Sequence, residues 1–341
     1  MNFCSDNTTI ANPEIIQHLA TVNQASEMPY GADSVTARLK QQLVDIFECD
    51  LEIFPVATGT AANVLSLSLL TPSFGAVLCH EESHINVDEC GAPEMATGGA
   101  KLVPIKGENA KLTPAAIQEV LDAGWTGVVH HVQPSCVSIT QATECGTVYS
   151  VDEVKAIADL AHENGLSVHM DGARFTNALV SLGCSPAEMT WKAGVDVLSF
   201  GATKNGALAA EVVILFNREK AKEAGFRRKR GGHLFSKMRF LSAQVEAYLT
   251  DDLWLHNARH ANAMAAALAE GLKDLGEGGL LYPVQANEVF VFLPGPVAKR
   301  LNDSGFSFYE WPLGGPDCYR LVTAWCTKDE DVRRFIEVAN K

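Results

Sequence analysis

The chain has 341 residues, 47% hydrophobic and 20% charged, enough for a large packed α/β domain with a smaller companion and too apolar for disorder. A formal charge of −14 argues against general binding to nucleic acid or anionic membranes, and no apolar run reaches the length of a membrane span. Nine cysteines without a CxxC pair, and an N-terminus lacking the basic start and apolar core of a signal peptide, point to a reducing cytoplasm.

In chain order, Pro13 opens a helix to about Ala25, and residues 28–33 form a loop. Ser34 caps a second helix ending near Phe47. A strand over Leu51–Val56 leads through Ala57-Thr58-Gly59-Thr60 into the helix-forming run Ala61–Leu70. Strand, loop and strand follow over Ala76–Cys79, His80–Glu94 and Lys101–Ile105, then a helix over Thr113–Ala123 with Thr113 as its cap. Val128–Val132 reads as a buried strand that sends His130 and His131 to opposite faces, and Gln133–Tyr149 as a polar loop. Ser150 and Glu153 form a capping box for a helix stopped by Gly165.

Leu166–Met170 is the next strand, with helices over Thr176–Leu182 and Pro186–Ala193 and strands over Val195–Phe200 and Glu211–Phe216. This alternation predicts a mostly parallel sheet with helices on both faces. Leu241–Leu275 is a long or broken helical region ended by the glycine stretch 276–279. Strand, helix and strand over Glu288–Leu293, Pro296–Ser304 and Tyr319–Trp325 complete an α+β portion. The division expected is a large domain over 1–245, whose first 15 residues contribute to the active site, and a small one over 246–341.

The chemistry concentrates in two stretches. His169-Met170-Asp171-Gly172-Ala173-Arg174 delivers an acid at a strand end, where ligands of open α/β sheets gather, with an arginine three residues on. Ser199-Phe200-Gly201-Ala202-Thr203-Lys204 delivers a lysine 33 positions after the acid (204 − 171). That layout suits pyridoxal 5'-phosphate, with Lys204 as Schiff-base amine and Asp171 as partner of the pyridinium nitrogen. The strand–glycine–helix junction at Gly59 and Thr60 offers amides and a positive dipole end to a phosphate, though an ordinary cap has the same look.

Other readings compete. His80-Glu81-Glu82-Ser83-His84 matches HExxH, which binds zinc only when both histidines share a helix face; here it follows a strand directly. A zinc hydrolase using His80, Glu81 and His84 is the alternative from a different class; His84 alone, stacked on a planar cofactor ring, is the other functional reading. The basic cluster over 226–230, with Lys237 and Arg239 nearby, is either a solvated face or a phosphate contact reaching a neighbouring subunit.

Taken together and in order, the Tyr30-Gly31-Ala32-Asp33 loop, the TGTAAN turn, HMDGAR and GVDVLSFGATKNG resemble the low-specificity L-threonine aldolases, pyridoxal-phosphate enzymes of the aspartate-aminotransferase fold (fold type I). The resemblance runs from Ser5-Asp6-Asn7 to Arg320-Leu321-Val322-Thr323. It implies a carbon–carbon lyase that cleaves L-threonine or L-allo-threonine to glycine and an aldehyde; a phenylserine aldolase or another β-eliminating lyase is the near alternative. It implies Lys204 as the Schiff-base lysine, Asp171 at the pyridine nitrogen, and His84 over the ring. Gly59, Thr60, Arg174, Thr203, Lys229 and Lys237 would serve the cofactor. Ser5, Arg174 and Arg320 would take the substrate carboxylate. Tyr30 would enter from the adjoining subunit of a homodimer or homotetramer. Where many members carry a histidine at the substrate hydroxyl, this chain has Glu144, so His84, Glu144 or a water is the base there, and the pattern after the basic cluster is altered to Gly231-Gly232-His233-Leu234.

Overall fold

The computed structural model describes residues 1–273, 275 and 279–341; Gly276 and Gly278, in the stretch expected to end the long helical region, lie outside the described residues. Seven strands build the main sheet: β1 (Glu52–Val56), β2 (Gly75–His80), β3 (Lys101–Ile105), β4 (Gln133–Thr140), β5 (Ser167–Gly172), β6 (Val197–Gly201) and β7 (Glu211–Leu215). Their order is β1-β7-β6-β5-β4-β2-β3. The run from β6 to β3 is parallel, and β7 pairs antiparallel with both β6 and β1. Helices cover both faces, as the alternating pattern requires. Leu39, Val154, Phe175 and Val245 pack from helices on one face, while Ala61, Leu65 and Ala224 pack from helices on the other.

The helix Gly59–Leu70 is buried from Ala61 onward. It tolerates serines there because Ser66 and Ser68 hydroxyls donate to the Ala62 and Leu65 carbonyls at 2.8 Å. Thr58 caps it, accepting from the Ala61 amide at 3.1 Å. The box at Ser150 and Glu153 forms as its spacing predicts. The second helix is capped by Asp33 rather than Ser34, the Asp33 carboxylate accepting from the Thr36 amide at 2.7 Å.

Two expectations are corrected. Val128–Val132 is an exposed turn, with Val129 93% accessible, and the strand lies instead over Gln133–Thr140. The Gln133 side-chain amide donates to the Trp125, Val128 and His131 carbonyls, which closes the turn and leaves His130 and His131 outside. The supposed loop after β2 holds two short helices, His84–Val87 and Ala92–Thr97.

A second sheet of three antiparallel strands, β8 (Glu288–Phe292), β9 (Tyr309–Glu310) and β10 (Cys318–Val322), has the order β8-β10-β9. Phe3 joins its core. The Phe3 amide donates to Ser307 O, its carbonyl accepts from the Val322 amide, each at 2.8 Å, and its ring meets Phe306 and Phe335. Residues just beyond Phe3 are thereby held beside the C-terminal ends of the main strands. No helix among the described residues is long and apolar enough to cross a membrane.

Candidate active site

The carboxyl ends of β4, β5 and β6 meet at one edge of the sheet. Thr140 stands opposite Asp171, and Asp171 opposite Ser199. The chain can turn tightly here only without side chains: a Cβ on Gly201 would sit 2.6 Å from the Ala173 carbonyl oxygen, and one on Gly172 2.8 Å from that of Ser199. Those glycines bring the Asp171 and Lys204 segments together. A cavity of about 370 Å³ opens above them, lined by Gly59, Thr60, Asp171, Thr203, Lys204 and His84 among others. A second, of about 770 Å³, shares His84, Glu144, Arg174 and Lys204 with the first and extends to Ser5, Glu288, Trp311 and Arg320.

At the inner end, Asp171 is buried and held from two sides. Its Oδ2 accepts from Asn63 Nδ2 at 2.8 Å and its Oδ1 from the Ala173 amide at 3.0 Å. Asn63 Nδ2 also donates to Glu89 Oε1 at 2.8 Å, and that oxygen lies 2.8 Å from His84 Nδ1. The Glu89 carboxylate raises the His84 pKa, against the opposing effect of burial. Behind them His169 is clamped between the hydroxyls of Ser138 and Ser199, each 2.9 Å away, and burial pushes its pKa down to about 4.

At the phosphate-sized end, the Thr58 cap engages the amides of Ala61 and Ala62 and leaves those of Gly59 and Thr60 to face the cavity. A Cβ on Gly59 would meet nothing within 4 Å, so the space beside that turn is open. An anion cradle, a buried acid and a lysine around one cavity fit pyridoxal 5'-phosphate: Gly59 and Thr60 for the phosphate, Asp171 for the ring nitrogen, Lys204 for the aldehyde.

Between the cavities stands Glu144. Its Oε1 accepts from Thr140 Oγ1 at 2.8 Å and the His84 amide at 3.0 Å, while its Oε2 has no partner. Burial pushes its carboxyl up to about 7. Glu211, beside Thr203 and accepting from the Ala202 amide at 2.9 Å, is likewise pushed up to about 7 by burial.

At the outer end, Arg174 grips Asp6 through Nε (2.8 Å) and Nη2 (3.1 Å), and its Nη1 lies 3.2 Å from Glu288 Oε2. Arg320 Nη1 is 4.0 Å from Glu288 Oε1, and its guanidinium lies near the rings of Tyr309 and Trp311. Ser5 lines the same space, its hydroxyl accepting from the Asn7 amide.

Two residues expected at the cofactor lie away from these cavities. Lys229 and Lys237 are exposed, and neither lines the two cavities. Lys229 Nζ sits 5.1 Å from the Tyr30 ring centroid, and the Tyr30 amide donates to Ser236 O. The loop at Tyr30 and the basic segment thus form one outward patch. The zinc alternative loses its geometry: His80 Nε2 lies 3.0 Å from Gly107 O, and its Nδ1 accepts from the Glu82 amide, so both ring nitrogens are engaged.

Asn63, Glu89, Glu211 and Glu288 have no role of their own in the sequence reading, although Asn63 closes the TGTAAN turn quoted there. Only Asn63 carried a signal, lying one helical turn past Gly59 and so on the same face as the cradle.

The architecture is that of the type I pyridoxal-phosphate enzymes. An aspartate aminotransferase from Rhodobacter sphaeroides, 16% identical, superposes over 100% of this chain and 93% of its own with a TM-score of 0.71, a likeness of fold alone. A threonine aldolase from Leishmania major is far nearer, with a TM-score of 0.92 at 31% identity over 99% of this chain and 98% of that one. The model of the beta-eliminating lyase family matches residues 2–295. A low specificity L-threonine aldolase of Pseudomonas aeruginosa is 45% identical over 337 residues, 99% of this chain and 95% of that protein. The chain belongs to the beta-eliminating lyases, on their threonine aldolase branch.

Proposed function

We propose that the protein cleaves L-threonine and L-allo-threonine by a retro-aldol reaction to glycine and acetaldehyde, with pyridoxal 5'-phosphate as cofactor. The observation that supports this most is the pair of joined cavities. One holds the anion cradle, the acid and Lys204; the other ends on Arg174 and Arg320; Glu144 stands at their junction.

The chemistry that the cofactor supplies when bound is an electron sink for the pair released as the Cα–Cβ bond breaks. The chain does the rest. Arg174 and Arg320, with Ser5, fix the substrate carboxylate, and so decide which bond at Cα stands ready to break. His84, oriented through Glu89, packs at the cavity wall where a planar ring face would lie. Glu144 Oε2 takes the β-hydroxyl proton as the carbonyl of the departing aldehyde forms. Adding one proton at Cα completes glycine, and Lys204 is the amine placed to deliver it.

Lys229, Lys237 and Tyr30 face outward together, so we assign their roles to the active site of an adjoining subunit in a homodimer or homotetramer. All nine cysteines are free, which supports a reducing, cytoplasmic setting. The large unit would cover 1–245 and the small one 246–341, with residues 1–4 packed on the latter.

A second substrate class is favoured by one feature: the outer cavity is walled by Trp311, Pro312 and Leu313, an apolar surface that suits an aryl side chain. The test is product identification from L-threonine, L-allo-threonine and L-phenylserine with the cofactor-loaded protein. Glycine with acetaldehyde is the expected result; benzaldehyde as the dominant aldehyde would favour the aryl reading. Failure to release glycine from any of the three would sink both.

A further inference from the structure

Glu288 is the first residue of β8 and is 1% exposed, yet neither of its carboxylate oxygens has a hydrogen-bond partner. A buried carboxylate left without donors is costly unless a nearby positive charge or a proton offsets it. The positive charge is at hand twice over. Arg174 lies 3.2 Å from one oxygen and Arg320 4.0 Å from the other. These are the two arginines that the proposed function uses to hold the substrate carboxylate.

The charges around it decide what happens when that carboxylate arrives. Asp6 is committed to Arg174: burial alone would raise its carboxyl, but the guanidinium holds it below the usual range, and Asn287 adds a donor at 3.1 Å. Asp6 and Glu288 therefore balance the two guanidiniums of Arg174 and Arg320. Lys204 and the Cys145 thiol also couple to Glu288, and Glu81, Glu82, His84, Asp88 and Glu144 line the same cavity. A substrate carboxylate added to a balanced site leaves one negative charge in excess.

We propose that Glu288 is a place-holder for the substrate carboxylate: it occupies the two arginines in the free enzyme and takes up one proton from solvent when an amino-acid substrate docks. This rests on the reading that Arg174 and Arg320 bind that carboxylate. The step balances as one carboxylate and one proton in, one neutral carboxylic acid formed, and no other bond changed. Burial already raises the Glu288 pKa, with repulsion from Asp6 adding to it and the two arginines and Lys204 opposing. The cost of the added proton is correspondingly small. Glu288 is then a determinant of substrate affinity, and its protonation moves KM and not kcat.

The experiment titrates the cofactor-loaded protein with propionate, a carboxylate without an amine, in two buffers of different ionisation enthalpy from mildly acidic to mildly alkaline pH. Where Glu288 is ionised in the free protein, close to one proton should enter per propionate bound, and affinity should fall roughly tenfold per pH unit. In Glu288→Gln, which is neutral at every pH, uptake should vanish and affinity should stay flat. If that variant does not fold, Glu144→Gln decides: Glu144 is the other buried acid of this cavity raised toward neutral pH, so uptake that persists without it supports Glu288 and uptake lost with it overturns the proposal. Binding without proton uptake at any pH overturns the role of Glu288 while leaving the carboxylate site intact. No binding of propionate, from protein that still releases aldehyde from L-threonine, overturns it along with the assignment of the two arginines. No binding and no aldehyde removes the proposed function itself.

Discussion

Asn63 Nδ2 lies 2.8 Å from Asp171 Oδ2, which ties the acid at the end of β5 to the helix that carries the anion cradle. The same nitrogen reaches Glu89, the carboxylate that orients His84. One amide therefore bridges two buried carboxylates that line the inner cavity. Asn63→Ala removes a hydrogen bond to a charged group, worth about 1.5–3 kcal/mol. The expected outcome is a fall in kcat/KM of roughly 10- to 150-fold at that energy. Steady-state kinetics with L-threonine checks it, and unchanged kinetics would show that Asp171 needs no such support.

The site is legible in sequence where a single backbone feature delivers a residue. Asp171 and Lys204 stand at strand ends and Gly59 at a capped helix start, so alternation and turn chemistry are sufficient to place them. Glu288 and Asp6 are a different case. They approach Arg174 from the second sheet and from the N-terminal segment, and a contact spanning 168 residues, as between Asp6 and Arg174, leaves no local pattern. The misplacement of β4 has a related cause. Val-Val-His-His-Val has the β-branched character of a buried strand, whereas the real strand is rich in polar residues because Ser138 pairs with buried His169. Interior polarity that is satisfied across strands reads, along the chain, as a loop.

The Arg174 cluster gives a stability test. Arg174→Ala strands Asp6 and Glu288 as buried carboxylates facing each other, a loss of about 3–5 kcal/mol by the usual cost of breaking a buried pair. Adding Asp6→Ala to that variant should recover part of the loss, since it removes the charge with the firmest claim on the guanidinium. Denaturant unfolding of the two variants measures both effects. A double variant no more stable than the single one would contradict the pairing.

Acid should act on the protein through His169. Its pKa is near 4 in the fold against an ordinary 6.5, so the unfolded chain binds its proton first. Stability from this group is complete above pH 6.5 and drains away as pH falls toward 4, by at most about 3 kcal/mol. His169→Asn, which can still bond a serine, should blunt the dependence while lowering stability at neutral pH. The measurement is the denaturant midpoint as a function of pH, and parallel curves for the two proteins would refute the assignment.

Glu144 carries the last prediction, on catalysis itself. Its carboxyl titrates near 7, and it can accept the substrate's hydroxyl proton only when ionised. The value is raised, so the acceptor is lost as pH falls through 7, and kcat for L-threonine should show an acid limb centred there. Glu144→Gln keeps the bonds from Thr140 and the His84 amide, through its carbonyl oxygen, but cannot take a proton. It should slow aldehyde release by about 10²–10⁴-fold and flatten the limb. Glu211 also titrates near 7, close to Lys204, and its glutamine variant is the necessary control. A limb that persists in Glu144→Gln and disappears in Glu211→Gln would move the titration to the lysine side of the cavity and leave the hydroxyl proton to another acceptor.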